Sequence, residues 1–293
     1  MTEFQIISDS SCDLPYELLK KHNIKLVPFY VSFDKVNYLK ENEDISIDNF
    51  YLKIETDKIF PKTSLPSVQD YISIFTPYLE QNIDILCFCI TSKFSGSYQS
   101  ATTAKNILLE QFPNANICII DTKLATASQG LLVLEAAKMK KAGMYIDQIV
   151  GKSKQLRDTS RIQFTIDTLE FLQKGGRIGK ASALAGSVLN VKPLMVLKEG
   201  ELHPHSIIRG RKRALKKIIE MAIEDLASLD YNDYRFCILT GNCFKEAEKI
   251  KKHLEKDYNI NFEYPIFKVG TTIGTNTGPT AIGIAYIRKF DTI

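Results

Sequence analysis

The serines at positions 95 and 97, which flank Gly96, offer the clearest chemistry in the sequence. They follow a nearly all-apolar run, residues 83–90, which is typical of a strand buried on both faces of a parallel sheet. They precede residues 98–108, where apolar side chains recur at helical spacing. Such a strand, turn and helix favour a carboxylate or phosphate site, because free backbone N–H groups point out of a helix start. The alternative is that a serine only caps an ordinary helix.

A second group of hydroxyls lies in residues 62–67, Lys-Thr-Ser-Leu-Pro-Ser. The proline and the polar side chains predict a loop, and Ser67 is in position to cap a helix that continues to Tyr78. Thr63 and Ser64 then supply hydroxyls that can donate hydrogen bonds to a ligand. A plain loop followed by a helix cap is the alternative interpretation.

A third stretch of small polar residues, 270–279, lies near the end of the sequence and reads Gly-Thr-Thr-Ile-Gly-Thr-Asn-Thr-Gly-Pro. Its glycines at 274 and 278 predict a loop in which amides and hydroxyls, including those of Asn276 and Thr277, converge on one point. The alternative is a tight turn between two strands.

Basic residues at 209–213, Arg-Gly-Arg-Lys-Arg, come directly before a long amphipathic helix predicted over residues 214–229. Positive charge is unfavourable at the start of a helix, because the helix dipole is positive there. The cluster therefore indicates a nearby anion or the acidic surface of a partner. The alternative is that these side chains are simply solvated.

The sequence does not match the catalytic and metal-binding signatures that its motifs suggest. Residues 175–182 resemble a phosphate-binding loop, but Lys174 replaces its first glycine and the run follows a predicted helix. His203 and His205 lie in a predicted hairpin strand with no third metal ligand nearby in the sequence. No general base is evident beside the Ser-Gly-Ser turn, and a serine without a base is a poor nucleophile. The hydroxyls are therefore interpreted as binding groups.

The composition is ordinary for a soluble globular protein of one large domain or two modest ones, with 293 residues, 44% hydrophobic and 25% charged. A formal net charge of +4 is too small to favour nucleic acid as a partner. Six cysteines without a Cys-x-x-Cys pair argue against a metal site or a disulfide framework. We see no signal peptide and no apolar run long enough to span a membrane, and we expect a cytoplasmic protein.

The elements that must position these residues divide the chain into two parts. In residues 1–160 strands alternate with helices, which predicts an α/β domain with a parallel sheet. One of its strands is predicted at residues 25–31, with Pro28 indicating an edge or a bulge. In residues 161–293 hairpins are mixed with helices, which predicts a second, α+β domain. An alanine-rich helix is expected after Lys180.

Six stretches, taken in order, resemble motifs of the DegV family of bacterial fatty-acid-binding proteins. No single stretch is decisive, but six in sequence, spread over nearly the whole chain, are specific. They are residues 8–14, 62–67, 92–101 and 169–179, the region of Arg209, and residues 273–286.

The resemblance implies a DegV-like fold, with a three-layer α/β/α domain, an α+β domain and a long-chain fatty acid buried between them. It also implies that Thr63 and Ser95 hold the carboxylate of the acid. The amides of Gly96 and Ser97 fit the anion site inferred from the turn. No other cofactor is expected.

Two positions depart from the family pattern in the last motif, which usually reads Gly-Thr-His-Thr-Gly-Pro-Gly. Asn276 stands in place of the histidine, and Thr280 stands in place of the final glycine. Asparagine can donate through its amide but carries no positive charge. Arg209 is our candidate for a compensating charge near the carboxylate.

The resemblance further implies a carrier subunit without catalysis of its own. It would present the bound acid to a separate fatty acid kinase for acyl-phosphate formation in phospholipid metabolism, with transient contact to a membrane surface. One alternative is an enzyme, a phosphotransferase or hydrolase that uses Ser95 on a small anionic substrate. Another is a regulatory module in which residues 209–217 contact an acidic partner.

Overall fold

A computed structural model of the chain describes residues 3–184 and 191–293. Within these ranges most strands are short, as expected for an α/β protein. The strands are β1 Phe4–Asp9, β2 Ile24–Val27, β3 Tyr30–Ser32, β4 Leu39–Lys40, β5 Lys62–Ser64, β6 Asp84–Cys89, β7 Ile117–Asp121, β8 Arg161–Thr165, β9 Val191–Lys198, β10 Glu201–Arg209, β11 Tyr234–Thr240, β12 Phe267–Lys268 and β13 Ile282–Arg288.

The α-helices fall between these strands, and short 3-10 turns occur at residues 10–12, 179–184, 231–233 and 290–292. The helices are α1 Tyr16–Lys21, α2 Ile47–Asp57, α3 Val68–Leu79, α4 Ser97–Gln111, α5 Thr126–Lys141, α6 Ile146–Thr159, α7 Glu170–Gly175, α8 Arg211–Asp225, α9 Phe244–Tyr258 and α10 Thr271–Thr277. In the described part of the chain, no helix combines the length and hydrophobicity that a membrane span requires.

A four-stranded parallel sheet has the strand order β2-β1-β6-β7. One face packs on α3 and α4 through side chains such as Phe75 and Ala104. The other face packs on α1 and α5 through side chains such as Leu18 and Leu132. All six residues of β6 are buried, as its apolar sequence predicts for a central strand covered by helices on both sides. The predicted fold class, with a parallel sheet in a three-layer arrangement, is confirmed.

A six-stranded mixed sheet has the order β10-β9-β8-β13-β11-β12, in which only β11 and β12 pair in parallel. Helices α8 and α9 cover one face through Ile218 and Ile250, which pack with Ile284 of β13. Helix α5 contacts β13 and β11 of this sheet as well as β1 of the parallel sheet. Because α5 lies between the two sheets, it is buried on nearly all sides, from Thr126 to Ala137.

A small three-stranded antiparallel sheet, with the order β4-β3-β5, was not predicted. The strand predicted at residues 25–31 is in fact two strands, β2 and β3, which belong to different sheets and are separated at Pro28. The loop predicted at residues 62–67 begins with a strand, because residues 62–64 pair with β3. Pro28 has no N–H to donate to a neighbouring strand, which explains why the chain leaves the parallel sheet after β2.

The strands of the parallel sheet all come from before residue 160, and those of the six-stranded sheet all come from after it. The division into domains at 1–160 and 161–293 nevertheless stays a prediction, because buried side chains of both parts form one continuous cluster. The alanine-rich helix expected after Lys180 falls in part outside the described residues. What is described there is a 3-10 turn, Gly179–Leu184.

Candidate functional site

A cavity of about 220 Å³ lies between the parallel sheet and the six-stranded sheet. Most of its lining is apolar and comes from strands of the six-stranded sheet and from the connections that follow strands of the parallel sheet, above all β6. Representative lining residues are Ile90, Phe94, Phe164, Leu197, Leu239 and Ile282. Ligands of open α/β sheets bind at the carboxyl ends of the strands, and this cavity has that position.

Polar residues in the lining gather on neighbouring segments. The lining includes five of the predicted site residues and one further basic residue, namely Thr63, Ser64, Ser95, Asn276, Thr277 and Arg177. A β-carbon on Gly96 would lie 3.4 Å from Leu65, so the Ser95 turn and the end of β5 are adjacent. Ser64 and Arg177 are exposed, whereas Thr63 and Ser95 are half-buried. This group therefore lies at the mouth of the cavity, whereas two further polar lining residues, Thr126 and Thr272, are buried.

The Ser95 turn is arranged to donate a hydrogen bond into the cavity. The backbone N–H of Ser97 donates to Oγ of Ser95 at 3.2 Å. Because that bond uses the oxygen as an acceptor, the hydroxyl proton of Ser95 is free to reach a ligand atom. Gly96 is the N-cap residue of α4 and is not part of the lining.

Ser97 does not face the cavity, contrary to the interpretation that its hydroxyl and amide bind an anion. Its amide is used by Ser95, and its hydroxyl donates to Oδ2 of Asp9 at 2.7 Å. The hydroxyl of Tyr71 lies 2.6 Å from the same Ser97 oxygen. Ser97 therefore stabilises the turn through its own hydrogen bonds and has no group left for an anion.

Asp9, which ends β1, was not recognised from the sequence. Its carboxylate is completely buried and accepts from the Ile90 amide at 2.8 Å and from Ser97, Ser11 and Gln129 side chains at 2.6 to 2.9 Å. Burial raises the pKa of Asp9, and the four donors oppose that shift. Since Asp9 contacts residues on both sides of the Ser95 turn, it fixes the shape of that turn. Its place within residues 8–14, at the end of the first strand, was the sequence signal that could have located it.

Residues 270–279 were predicted to form a loop, and this is wrong for residues 271–277, which form helix α10. The amide of Asn276 donates to the Thr272 carbonyl at 3.0 Å, and the Thr277 hydroxyl donates to the Ile273 carbonyl at 3.1 Å. One N–H of the Asn276 amide stays available to a ligand. Its oxygen lies against Gly175, where a β-carbon would be only 2.1 Å away.

The basic residue at the cavity is Arg177 and not Arg209. Arg209 is exposed at the end of β10 and is absent from the lining, so the structure does not bring it to the other predicted residues. Arg177 donates to the backbone carbonyls of Phe94 at 3.3 Å and Gly175 at 2.6 Å. It forms no ion pair with an acidic side chain in the described part of the chain. Its charge is thus available to an anionic ligand.

The geometry suits binding better than nucleophilic catalysis. Within the described residues, no His, Asp or Glu side chain is hydrogen-bonded to Ser95, so the hydroxyl has no base to remove its proton. The same part of the chain contains no cluster of three or more His, Cys, Asp or Glu side chains arranged to hold a metal ion. The site can accommodate an apolar body and one anionic group.

The comparisons with known proteins agree with the resemblance seen in the sequence. The sequence model of the DegV family matches residues 3–289. A DegV domain-containing protein of Clostridium perfringens is 32% identical over 289 residues, which are 98% of this chain and 98% of the relative.

Solved structures match over almost the full length of the chain. A stearic acid-binding protein from Eubacterium ventriosum superposes with a TM-score of 0.94 at 36% identity, covering 99% of this chain and 100% of that one. A DegV family protein from Thermus thermophilus, described by its fatty acid binding, superposes with a TM-score of 0.88 at 27% identity, covering 98% and 100%. This chain therefore belongs to the DegV family.

Proposed function

We propose that this protein binds a long-chain fatty acid, with the acyl chain between the two larger sheets and the carboxylate at the mouth of the cavity. The observation that carries the proposal is a mostly apolar cavity whose lining has Thr63, Ser95 and Arg177 on adjacent segments. The binding of stearic and other fatty acids by similar proteins supports the same class of ligand here.

The carboxylate is assigned to Thr63, Ser95 and Arg177, and Asn276 contributes one amide N–H. Arg177 supplies the positive charge that Asn276 cannot. Each charge-assisted hydrogen bond contributes about 1.5–3 kcal/mol. Ser64 and Thr277 also line the cavity and supply hydroxyls without charge.

The tail provides most of the affinity. Burial of an alkyl chain contributes ~0.8 kcal/mol per CH₂, so a long-chain acid gains on the order of 12 kcal/mol before costs. Association and ordering oppose this by several kcal/mol. The polar residues therefore fix the orientation of the acid more than they hold it in the protein.

Displacement of a fluorescent fatty acid from the delipidated protein tests the proposal. Palmitic acid should displace the probe with one site per chain, and hexadecane, which has the same tail length without a carboxylate, should compete less well. Absence of saturable displacement by palmitic acid would refute fatty acid binding.

We further propose a carrier role in the cytoplasm, in which a separate kinase phosphorylates the bound acid for phospholipid metabolism and the acid is loaded during transient contact with a membrane surface. The exposed positions of Ser64 and Arg177 support this, because a carboxylate beside them is close to solvent and to a partner. With ATP and hydroxylamine, acyl hydroxamate should form only when a fatty acid kinase subunit is added. Hydroxamate formed by this protein alone would favour an enzyme.

A further inference from the structure

Two buried carboxylates that the ligand site does not use, those of Asp13 and Glu41, lie behind the lining of the cavity. Oε1 of Glu41 and Oδ1 of Asp13 lie 2.5 and 2.7 Å from the position that a β-carbon on Gly270 would take. Both oxygens therefore occupy the space next to this glycine, which explains why the position has no side chain. Asp13 and Glu41 are 6% and 1% exposed.

The pair lacks a cationic partner in the part of the chain that the structure describes. Among residues 3–184 and 191–293, no lysine, arginine or histidine forms an ion pair with either carboxylate. The other titratable groups that face the pair are acidic or neutral, namely Asp9 on β1, Cys12 after it, Tyr51 on α2 and Cys237 on β11. Lys268 lies 5.6 Å from the ring centre of Tyr51 but pairs with Asp48.

Three of the four carboxylate oxygens of the pair accept well-formed hydrogen bonds from described residues, and the fourth, Oδ1 of Asp13, does not. Glu41 accepts from the Ser10 hydroxyl at 2.5 Å and from the Thr272 amide and hydroxyl at 3.1 and 2.8 Å. Oδ2 of Asp13 accepts from the Thr126 hydroxyl at 2.5 Å. Oδ1 of Asp13 accepts no hydrogen bond of good geometry from a described residue, and the nearby Gly270 amide only partly opposes the rise in its pKa. Two negative charges cannot both persist when they are this close and this buried. A proton on Oδ1 of Asp13 or on the facing Oε1 of Glu41 removes one of them.

The donors to the pair belong to the lining of the cavity. Thr126 is the first residue of α5, Thr272 lies in the first turn of α10, and both line the cavity. Thr126 has a φ of +51°, a conformation that a β-branched residue adopts only when its surroundings impose it. The bond to Asp13 supplies that constraint.

We propose that Asp13 and Glu41 share a single proton, and that this protonated pair positions the first turns of α5 and α10 at the ligand cavity. Loss of the proton places two charges side by side and pushes Thr126 and Thr272 apart. The lining of the cavity then becomes less ordered, and the affinity for the ligand decreases. The pair acts through these threonines and does not touch the ligand.

Burial, and then the charge of the partner carboxylate, raises the pKa of Asp13, and burial raises the pKa of Glu41. An acid whose pKa is higher in the folded state binds more protons folded than unfolded. Its contribution to stability is complete below the ordinary carboxyl pKa and is lost as the pH rises through the raised value. The protein should therefore be less stable, and hold its ligand less tightly, at the alkaline end of that window.

The test compares wild type with Glu41→Gln and Asp13→Asn, which replace the proton by a permanent amide donor. Glu43→Gln removes an exposed carboxylate two residues away and is the matched control. Urea unfolding of the ligand-free proteins between pH 5 and 9 is measured first. The unfolding equilibrium constant of wild type and of Glu43→Gln should rise with pH by up to about tenfold per unit within the window. In the two amide variants that rise should be reduced.

Equal pH dependence in all four proteins would overturn the proposal. Should both amide variants fail to fold, infrared spectroscopy of wild type still decides the matter. A protonated-carboxyl band must be present in the folded protein and disappear at alkaline pH. Its absence, as expected for a cation held between two carboxylates, would refute the shared proton.

The effect on ligand rests on the proposed function and is measured separately. The dissociation constant of palmitic acid should increase from pH 6 to pH 9 in wild type and increase less in Glu41→Gln. If no fatty acid binds at any pH, the proposed function is wrong. The unfolding result would still test whether Asp13 and Glu41 share a proton. If palmitic acid binds with the same pH dependence in both proteins, the link from the pair to the cavity is wrong.

Discussion

At the scale of single residues, Ser95 and Arg177 show what spacing along the chain can and cannot reveal. A buried strand followed by a hydroxyl-rich turn and a helix is a local pattern that indicated an anion site at Ser95 or Ser97, and the resemblance to the DegV family implied Ser95. Arg177 was not assigned, because its place at the cavity depends on α7 ending beside the Phe94 carbonyl. Arg209 was chosen from a local charge cluster, and the strand β10 carries it away from the cavity.

Replacement of Ser95 by alanine removes the hydroxyl that is free to donate at the cavity mouth. We expect the dissociation constant of palmitic acid to rise about 10- to 150-fold, the equivalent of ~1.5–3 kcal/mol for one charge-assisted hydrogen bond. Thr63→Ala should act in the same direction. Displacement titrations measure both, with Ser92→Ala as the control, because Ser92 lies in the same turn but bonds to Asp121.

Lipid that copurifies with the two variants separates the roles of head and tail. Because the tail dominates affinity, Ser95→Ala and Thr63→Ala should still carry fatty acid after purification, with a less ordered carboxylate. A folded variant that is wholly free of lipid would contradict this division of roles.

The choice between the two arginines is open to direct test. Arg177→Gln should weaken binding of palmitic acid about tenfold and reduce the dependence of binding on salt, because it removes the charge next to the carboxylate. Arg209→Gln should leave the dissociation constant unchanged, as its side chain is exposed away from the cavity. Fluorescent displacement at two salt concentrations provides the comparison. The reverse order of effects would restore Arg209 as the compensating charge.

At the scale of elements, strands and helices with a strong period were predictable and those formed by tertiary contacts were not. The strand β6 and the helix α4 follow their apolar patterns. The strand β5 has three residues and depends on pairing with β3. The helix α10 is rich in threonine and glycine, which form helices poorly, and its first turn is fixed by Glu41 from a distant part of the chain. Such contacts leave no local signal.

Close packing of α5 predicts unequal effects for two helical glycines. A β-carbon on Gly130 of α5 would lie 2.6 Å from the backbone oxygen of Cys12, so Gly130→Ala should destabilise the protein by about 1–3 kcal/mol. Gly151 of α6 has no atom within 4 Å of that position, and Gly151→Ala should stabilise by about 0.5–1 kcal/mol. Urea unfolding of both variants checks the signs. A neutral Gly130→Ala would mean that α5 can shift.

At the scale of the whole molecule, the cavity lies where two sheets share a core with α5 between them. The two sheets were predictable as separate sets of elements, since parallel and hairpin patterns differ. The continuity of their core was not, because it depends on which faces meet in space. A ligand in this cavity contacts the six-stranded sheet and the connections that follow strands of the parallel sheet, so its binding should stabilise the molecule as one unit.

Binding should therefore raise the free energy of unfolding of the entire chain. At free palmitic acid one hundred times above its dissociation constant, linkage predicts a gain of ~2.7 kcal/mol. Thermal unfolding followed by near-ultraviolet circular dichroism and by tyrosine fluorescence should show one transition that moves upward. Hexadecane serves as the control without a carboxylate. A transition that splits in two, with only one part moving, would contradict a ligand shared by both sheets.

Native mass spectrometry of the purified protein, followed by identification of the small molecule released on denaturation, tests the central claim most directly. We predict a one-to-one complex whose released mass is that of a long-chain fatty acid. The identity of that mass would also give the chain length and saturation of the ligand. A nucleotide, a phosphorylated metabolite, or an empty protein that ignores added fatty acid would contradict the account and turn attention to Asn276 as the altered site residue.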